Sequence, residues 1–564
     1  MNHKSIILSV ATFLQCLSLS AKMDVTKPLD DVNTLAGSYA ELRPNHFHGG
    51  WDFRTGGQEN LPIYSVADGY VARVIITPSG YGKMAMIEHP DGITTLYGHL
   101  NGFVGKLDSV VRAEQYRQHK YDVKLEFSPN EFPVKKGQQF AISGNTGGSA
   151  GPHLHFETRR TSDWLMLNPV EYNSVFGVVD NDAPKIMGLK VYAKPGSGWV
   201  VGGRESKYVC GSGGNLRNGS TVNAWGEISF GVKAYDHMTG TWFKYGVRKY
   251  RLKIDNVLVS EISLQNFLFA DKRAVNSLLD YEQLMKTREY FVKFSKDKAN
   301  PLPVYALQKN EAVLNVNEPG RIYKIQIEVE DDFGHVTSLN FNVKGVEKEV
   351  KTDNEEFTHM FKCGQNNLIS ADDMFLNLPK ECLYTDVRVN YKMEPSDKYF
   401  SNIYDFGAEY TPLHVPADLS IKVIDDSLEN KKNYVVARLN GKNLVTGVVP
   451  SKYINGYMVA SSFFLGKFAV YKDEKAPVVF AEHVLKLRQN PVIWLKIHDN
   501  LSGINTYNGY IDGKWVLFEY DPKTARILCD LRKTDIAKQQ KHTLKVVVTD
   551  YCDNAAQFET SFFY

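Results

Sequence analysis

The chain has no C-x-x-C pair and only six cysteines in 564 residues. That excludes cysteine-built zinc modules and thioredoxin-type redox chemistry. Neither charge is in excess: 66 Lys and Arg stand against 64 Asp and Glu, a formal +2. Such a balance supplies no field for nucleic acid or for an anionic membrane. Beyond the N-terminus no stretch approaches the roughly 20 apolar residues of a membrane helix. No H-E-x-x-H occurs, so the helical zincin arrangement is absent. With 43% hydrophobic and 23% charged residues, the chain is neither disordered nor collagen-like. It is too long for one core, so several domains are expected.

What is abundant is aromatic: 31 Tyr and 30 Phe. These fit β-rich cores and cross-strand pairs. The N-terminus reads as a secretory signal peptide over residues 1–21, with Lys4, an apolar run from Ile6 to Leu19, and Ser20-Ala21. Cys16 lies in that run, but Gln15 precedes it where a lipidation signal needs a small residue. The mature protein is therefore expected to be exported, to the periplasm or cell envelope or secreted. Five cysteines follow the signal. Their sequence-near pairings are Cys363 with Cys382 and Cys529 with Cys552, and buried reduced thiols are an equal alternative.

The first domain is expected over residues 22–178, Gly-rich from 40 to 175 with short β-branched runs such as Tyr70–Ile76 and Lys83–Glu88 between turn signals. This predicts a compact all-β domain. A divergent repeat follows. Asp180-Asn181-Asp182-Ala183-Pro184 is echoed by Asp473-Glu474-Lys475-Ala476-Pro477, and Asp236 to Gly240 by Asp499 to Gly503. The alternating run Ile325–Glu330 with Asp331 is echoed by Leu544–Thr549 with Asp550. Immunoglobulin-like β-sandwiches are expected over 179–349, with a helical insertion at Val275–Thr287, and over 473–564. A further β-sandwich is expected over 350–472, on strand candidates Ser420–Ile424 and Tyr434–Arg438. The turn aspartates Asp236, Asp331, Asp499 and Asp550 offer donors of the type calcium takes. Turn aspartates ordinarily bond their own backbone, and that is the expectation here.

Histidine is unevenly spread. Seven of the 15 lie between residues 46 and 155. His153 and His155 share one face of a strand if Leu154 faces the core. His48 and Asp52 share a face in extended chain, with Gly49 and Gly50 letting the backbone approach a metal. Zinc at a catalytic site takes three protein ligands and keeps a fourth position open. Two segments thus offer three ligands and a spare imidazole. Either string alone reads better as structural histidines.

The surrounding blocks resemble the LytM- or lysostaphin-type zinc metallopeptidases of bacterial cell walls. They are His48-x-Gly50-x-Asp52, Pro62 to Gly69, Gly80-Tyr81-Gly82-Lys83, and His89-Pro90-Asp91-Gly92. Leu96-Tyr97-Gly98-His99-Leu100, Val134 to Gly137, Ser143 to Gly147, and Gly151-Pro152-His153-Leu154-His155-Phe156-Glu157 complete them. The resemblance implies one Zn2+ per chain on His48, Asp52 and His155, with His153 and His99 as non-ligand catalytic histidines. His153 would accept a proton from water, and His99 would orient the water or stabilise an oxyanion. The sequence alone does not divide these tasks. His46 becomes a neighbour of the site, and His89, before a turn, a structural residue.

The resemblance also implies peptidoglycan peptide stems as substrate, with the cleaved bond left open. The β-sandwiches are available for a protein partner. An alternative is a catalytically silent regulator that binds and activates other wall enzymes. Residues 101–133 are longer than the family leads one to expect, and either flank the substrate groove or form a surface excursion.

Overall fold

The computed structural model describes residues 23–564, apart from 31–32, 212–213, 218, 351–355, 372, 483–486 and 488–489. The expected signal peptide lies outside the described residues. The fold is mainly β, with short helices.

The site is built on one sheet. Its strands run Leu35–Gly37, Trp51–Arg54, His153–Arg160, Ile93–Leu100, Lys83–Glu88, Gly69–Ile76 and Val123–Glu126, in that spatial order. His153–Arg160 is central and pairs antiparallel with both neighbours. His155 lies opposite Asp52 on one side and Gly98 on the other. Alternation then sorts its side chains. Leu154 and Phe156 turn to the core, both fully buried. Phe156 packs against Phe53, Tyr97 and Phe176, at ring separations of 5.4 to 5.9 Å. His153, His155, Glu157 and Arg159 share the opposite, polar face.

Gly50 makes this pairing possible. A Cβ there would stand 2.0 Å from the Phe156 carbonyl oxygen, so only glycine lets the two chains approach. The glycine serves strand-to-strand contact rather than approach to a metal.

Residues 101–133 do not follow the all-β expectation. Lys106–Gln118 forms an α-helix ended by His119 in the left-handed conformation. Its buried stripe is only Leu107, Val111 and Gln115, one of them polar, so the periodicity is faint in sequence. The helix does not stand free. Tyr116 and His119 pack on Trp515 of the C-terminal region, at 5.2 and 5.0 Å between rings.

Residues 185–345 form a sheet around the long strands Lys185–Val200 and Thr221–Tyr235. Its hydrophobic core is continuous with that of the first domain. Within it, Val275–Leu278 and Tyr281–Thr287 are helical, separated by Leu279 and by Asp280, whose side chain caps the second helix by accepting from Gln283 N–H. Residues 359–472 place two five-stranded sheets and a small two-stranded one around a core of their own, and residues 478–563 place two four-stranded sheets around another. Cys210, Cys363, Cys382, Cys529 and Cys552 are all free thiols, so neither sequence-near bridge forms. No described helix is long and apolar enough to cross a membrane.

Candidate metal centre

His48, Asp52 and His155 come together in one buried cluster. His48 Nε2 lies 3.0 Å from Asp52 Oδ1 and 2.9 Å from His155 Nδ1, and His155 Nδ1 lies 2.8 Å from Asp52 Oδ1. Three donor atoms thus form a triangle with edges near 3 Å. Tetrahedral ligands at Zn–N and Zn–O lengths of about 2.0–2.1 Å stand about 3.3 Å apart. The donor set fits zinc in number, type and spacing.

Outer partners fix the tautomers. His48 Nδ1–H donates to the Ser38 carbonyl at 2.6 Å, and His155 Nε2–H donates to Glu157 Oε1 at 2.9 Å. Both inner nitrogens therefore present lone pairs to the Asp52 oxygen. Three such acceptors facing one point call for a positive charge between them. Burial disfavours charge on each group, yet Asp52 is held well below the usual carboxylate range by His48, His153 and His155. Burial also works against His155, but hydrogen bonds to Asp52 and Glu157 lift it to about 9. His48, deep in the protein, falls to about 4.

Two further imidazoles complete the pocket. His153 stands with Nε2 3.4 Å from Asp52 Oδ1, and its Nδ1–H donates to the Gly151 carbonyl at 2.8 Å. His99 Nδ1–H donates to the Thr146 carbonyl at 2.8 Å, and its ring lies 4.7 Å from that of His153. His99 has φ 58°, a conformation a non-glycine residue rarely adopts. Burial, reinforced by His153 and His155, lowers His99 to about 3. All five residues singled out from sequence meet here. His46 and His89 do not: His46 Nδ1–H donates to the Pro44 carbonyl, while His89 bridges the Asp68 carbonyl and Thr95 Oγ1.

The supporting shell escaped sequence reasoning. Glu157 is fully buried and meets Arg159 through Nε–H at 2.6 Å and the Tyr81 hydroxyl at 2.7 Å. Arg43 Nη2 donates to Asp52 Oδ2 at 3.1 Å. The signal for Glu157 was present, because it follows His153 and His155 at the same two-residue step. Arg43 carried none.

Distant segments brace the rim. Ser38, whose carbonyl anchors His48, accepts a hydrogen bond from Gly246 N–H through Oγ at 2.9 Å. Tyr245 OH donates to the Leu35 carbonyl at 2.8 Å. From the C-terminal region, Glu519 pairs with Lys83 at 2.7 Å, and Lys523 donates to the carbonyl of Asn145, beside the Thr146 that holds His99.

Residues 46–116 match the model of peptidase family M23, a span that includes His48, Asp52 and His99. The chain carries an M23 peptidase domain. The M23 region is 36% identical over 116 residues to an uncharacterized metalloprotease of Haemophilus influenzae, covering 21% of this chain and 18% of that protein. It is 32% identical over 128 residues to the DD-carboxypeptidase/endopeptidase Mpg of Neisseria meningitidis serogroup B, covering 21% and 23%. It is 31% identical over 116 residues to the murein hydrolase activator EnvC of Escherichia coli, covering 20% and 22%. The chain thus spans less than a quarter of the length of these relatives. Outside the M23 domain, residues 358–473 match the model of the Zu5-like domain.

Proposed function

We propose that the protein is an exported zinc metalloendopeptidase that hydrolyses peptide cross-links of peptidoglycan. His48, Asp52 and His155 hold one zinc ion, and His153 and His99 carry the proton chemistry. The observation that carries this reading is the complete buried donor triangle, with the outer nitrogens of both ligand histidines anchored and two more imidazoles turned to the same point. Relatives with endopeptidase in their names support the substrate class.

Zinc held there supplies Lewis acidity, polarising a carbonyl and acidifying water toward a pKa of about 7. With Nδ1–H committed to Gly151, His153 Nε2 is free to accept a proton from the attacking water and then deliver it to the departing amine. His99, neutral and with Nδ1–H committed to Thr146, can only accept at Nε2. This favours orienting the water over donating to an oxyanion. The ionic pair of Glu157 and Arg159 holds His155 in register from behind.

The test is metal content and dye release from labelled peptidoglycan, using the purified mature chain. One zinc per chain with hydrolysis is expected. His153→Ala should keep the zinc and lose turnover. Undiminished hydrolysis by His153→Ala would remove that residue from the mechanism. Stoichiometric zinc with no hydrolysis of any wall type would favour a second reading, a silent activator of other wall enzymes. The buried site and its bracing by Glu519 and Lys523 keep that reading in view, as does the relative named an activator.

A further inference from the structure

The two copies of the repeat each gather a cluster of aspartates, buried except for the half-buried Asp499, that the peptidase chemistry does not use. In the first copy Asp180 and Asp331 converge, with His335 beside them. Asp236 stands outside that closest group, near enough for both charges to oppose its own. In the second copy Asp473, Asp499 and Asp550 converge. The equivalences hold bond by bond. Asp180 Oδ1 accepts from the N–H of Thr239, and Asp473 Oδ2 from that of the corresponding Ser502. Asp331 Oδ1 accepts from Phe333 N–H and His335 N–H, and Asp550 Oδ1 from Cys552 N–H and Asn554 N–H.

These aspartates do bond their own backbone, as their turns lead one to expect. They nevertheless have oxygens left over. Asp180 is only 6% exposed and Asp236 only 2%. Asp180 turns Oδ1 to the backbone, which leaves Oδ2 for the cluster without a hydrogen-bond partner, and Asp236 Oδ1 has none either. In the second copy Asp499 gives Oδ2 to Leu501 N–H and Gly503 N–H, and Oδ1 is again unpartnered. An unsatisfied buried carboxylate oxygen is costly, and the same atom of the corresponding residue is unsatisfied in both copies. Burial, with Asp180 and Asp331 nearby, pushes Asp236 up to about 8.

We propose that each cluster is a calcium site: Asp180, Asp236 and Asp331 in the first copy, Asp473, Asp499 and Asp550 in the second. The donor chemistry selects a hard cation. His335 is not a ligand, because its Nδ1–H is spent on Asp331 Oδ2 at 2.8 Å. Asn554 makes the same bond to Asp550 Oδ2 at 2.8 Å in the second copy. What remains is carboxylate oxygen, spread over several ångströms, which suits calcium's loose all-oxygen shell better than the tight octahedron of magnesium or the nitrogen-rich set of zinc.

Position gives the sites a role. Asp180 and Asp473 each lie on the segment that enters their copy, just before the strands Lys185–Val200 and Val478–Phe480. Neighbouring regions meet them there: Asn168 of the M23 region donates to Asp332, and Asn433 donates to the Asp473 carbonyl. A cation at each cluster ties an entering segment to two strand ends and stiffens the junction. The first cluster also sits at the base of the hairpin in which Asp236 faces Tyr245, the hairpin that braces Leu35 and Ser38 beside the metal centre.

The experiment is equilibrium dialysis of the zinc-loaded full chain against Ca2+ alone, with Mg2+ alone in parallel, and thermal unfolding under both. Two calcium ions per chain are expected, with a rise in Tm of about 5 °C at calcium well above its Kd. Asp236→Asn and Asp499→Asn should each bind one, and the double variant none. Asparagine is nearly isosteric, so without calcium these variants should melt close to the parent. No calcium bound at 1 mM to the unmutated chain overturns the proposal. So does binding that both variants retain, or an equal response to magnesium.

Discussion

The M23 pocket and the aspartate clusters both gather buried groups that want a cation, but they are built in opposite ways. The pocket rests on a paired central strand. Its ligands stand at fixed register, and each ligand imidazole is gripped from behind by an acceptor. The aspartate clusters rest on turns at strand ends, gripped by backbone N–H groups. Strand register and second-sphere bonds give the sub-ångström precision that a catalytic centre needs. Turn carboxylates give a looser oxygen cage, adequate for joining segments. The difference teaches that rigidity behind the ligand marks the chemical site more clearly than the number of ligands.

The most damaging way to break this contrast is inside the triangle. His155→Ala removes the ligand that also couples Asp52 to Glu157. Zinc should fall from one per chain to near none and hydrolysis to background, while calcium binding at the aspartate clusters stays at two. Metal analysis of one sample reads all three. Retention of stoichiometric zinc by this variant would show that the triangle is not the binding site.

The two faces of the strand His153–Arg160 offer the next comparison. Phe156→Ala opens a cavity among Phe53, Tyr97 and Phe176. A fully buried phenylalanine truncated in this way costs about 3–5 kcal/mol. Chemical denaturation should show that loss with an unchanged ligand set. On the polar face, Glu157→Gln keeps the shape but removes the charge that orients His155 and balances Arg159. Outer-shell changes of this type weaken metal binding about 10–100-fold, and competition with a chromophoric chelator would measure it. A zinc affinity unchanged by Glu157→Gln would mean that register alone positions His155.

How much of this was legible beforehand follows from the same contrast. Histidine is scarce, so seven of 15 within 110 residues stood out, and the two-residue step of His153 and His155 announced a shared face. Glu157 continued that step unread, because a lone carboxylate on a strand has many uses. The position of His99 depends on a backbone conformation that no pattern predicts. The aspartates were visible as a repeat, yet their convergence was not: aspartates at turns are common, and only three-dimensional burial reveals an oxygen left without a partner. The helix Lys106–Gln118 stayed hidden for a third reason. It packs against Trp515, some 400 residues away, and local periodicity carries no trace of such a contact.

That contact yields the smallest expected effect and the sharpest test of how the regions divide their work. Trp515 stacks on His119 and meets Tyr116 edge-on. An aromatic pair of this kind is worth about 1 kcal/mol beyond its buried area. Trp515→Ala should therefore loosen the seat of the C-terminal sandwich on the helix, read as faster limited proteolysis near residues 513–525. The zinc triangle depends on none of these atoms, so metal content should stay at one per chain. Lys83 and the Asn145 carbonyl, held by Glu519 and Lys523, adjoin the loop that carries Thr146 and so His99. If the sandwich merely leans on the M23 domain, hydrolysis should shift by no more than the roughly fivefold that 1 kcal/mol allows. A larger rise would mean that the sandwich restrains the pocket, and a larger fall that it helps to shape it.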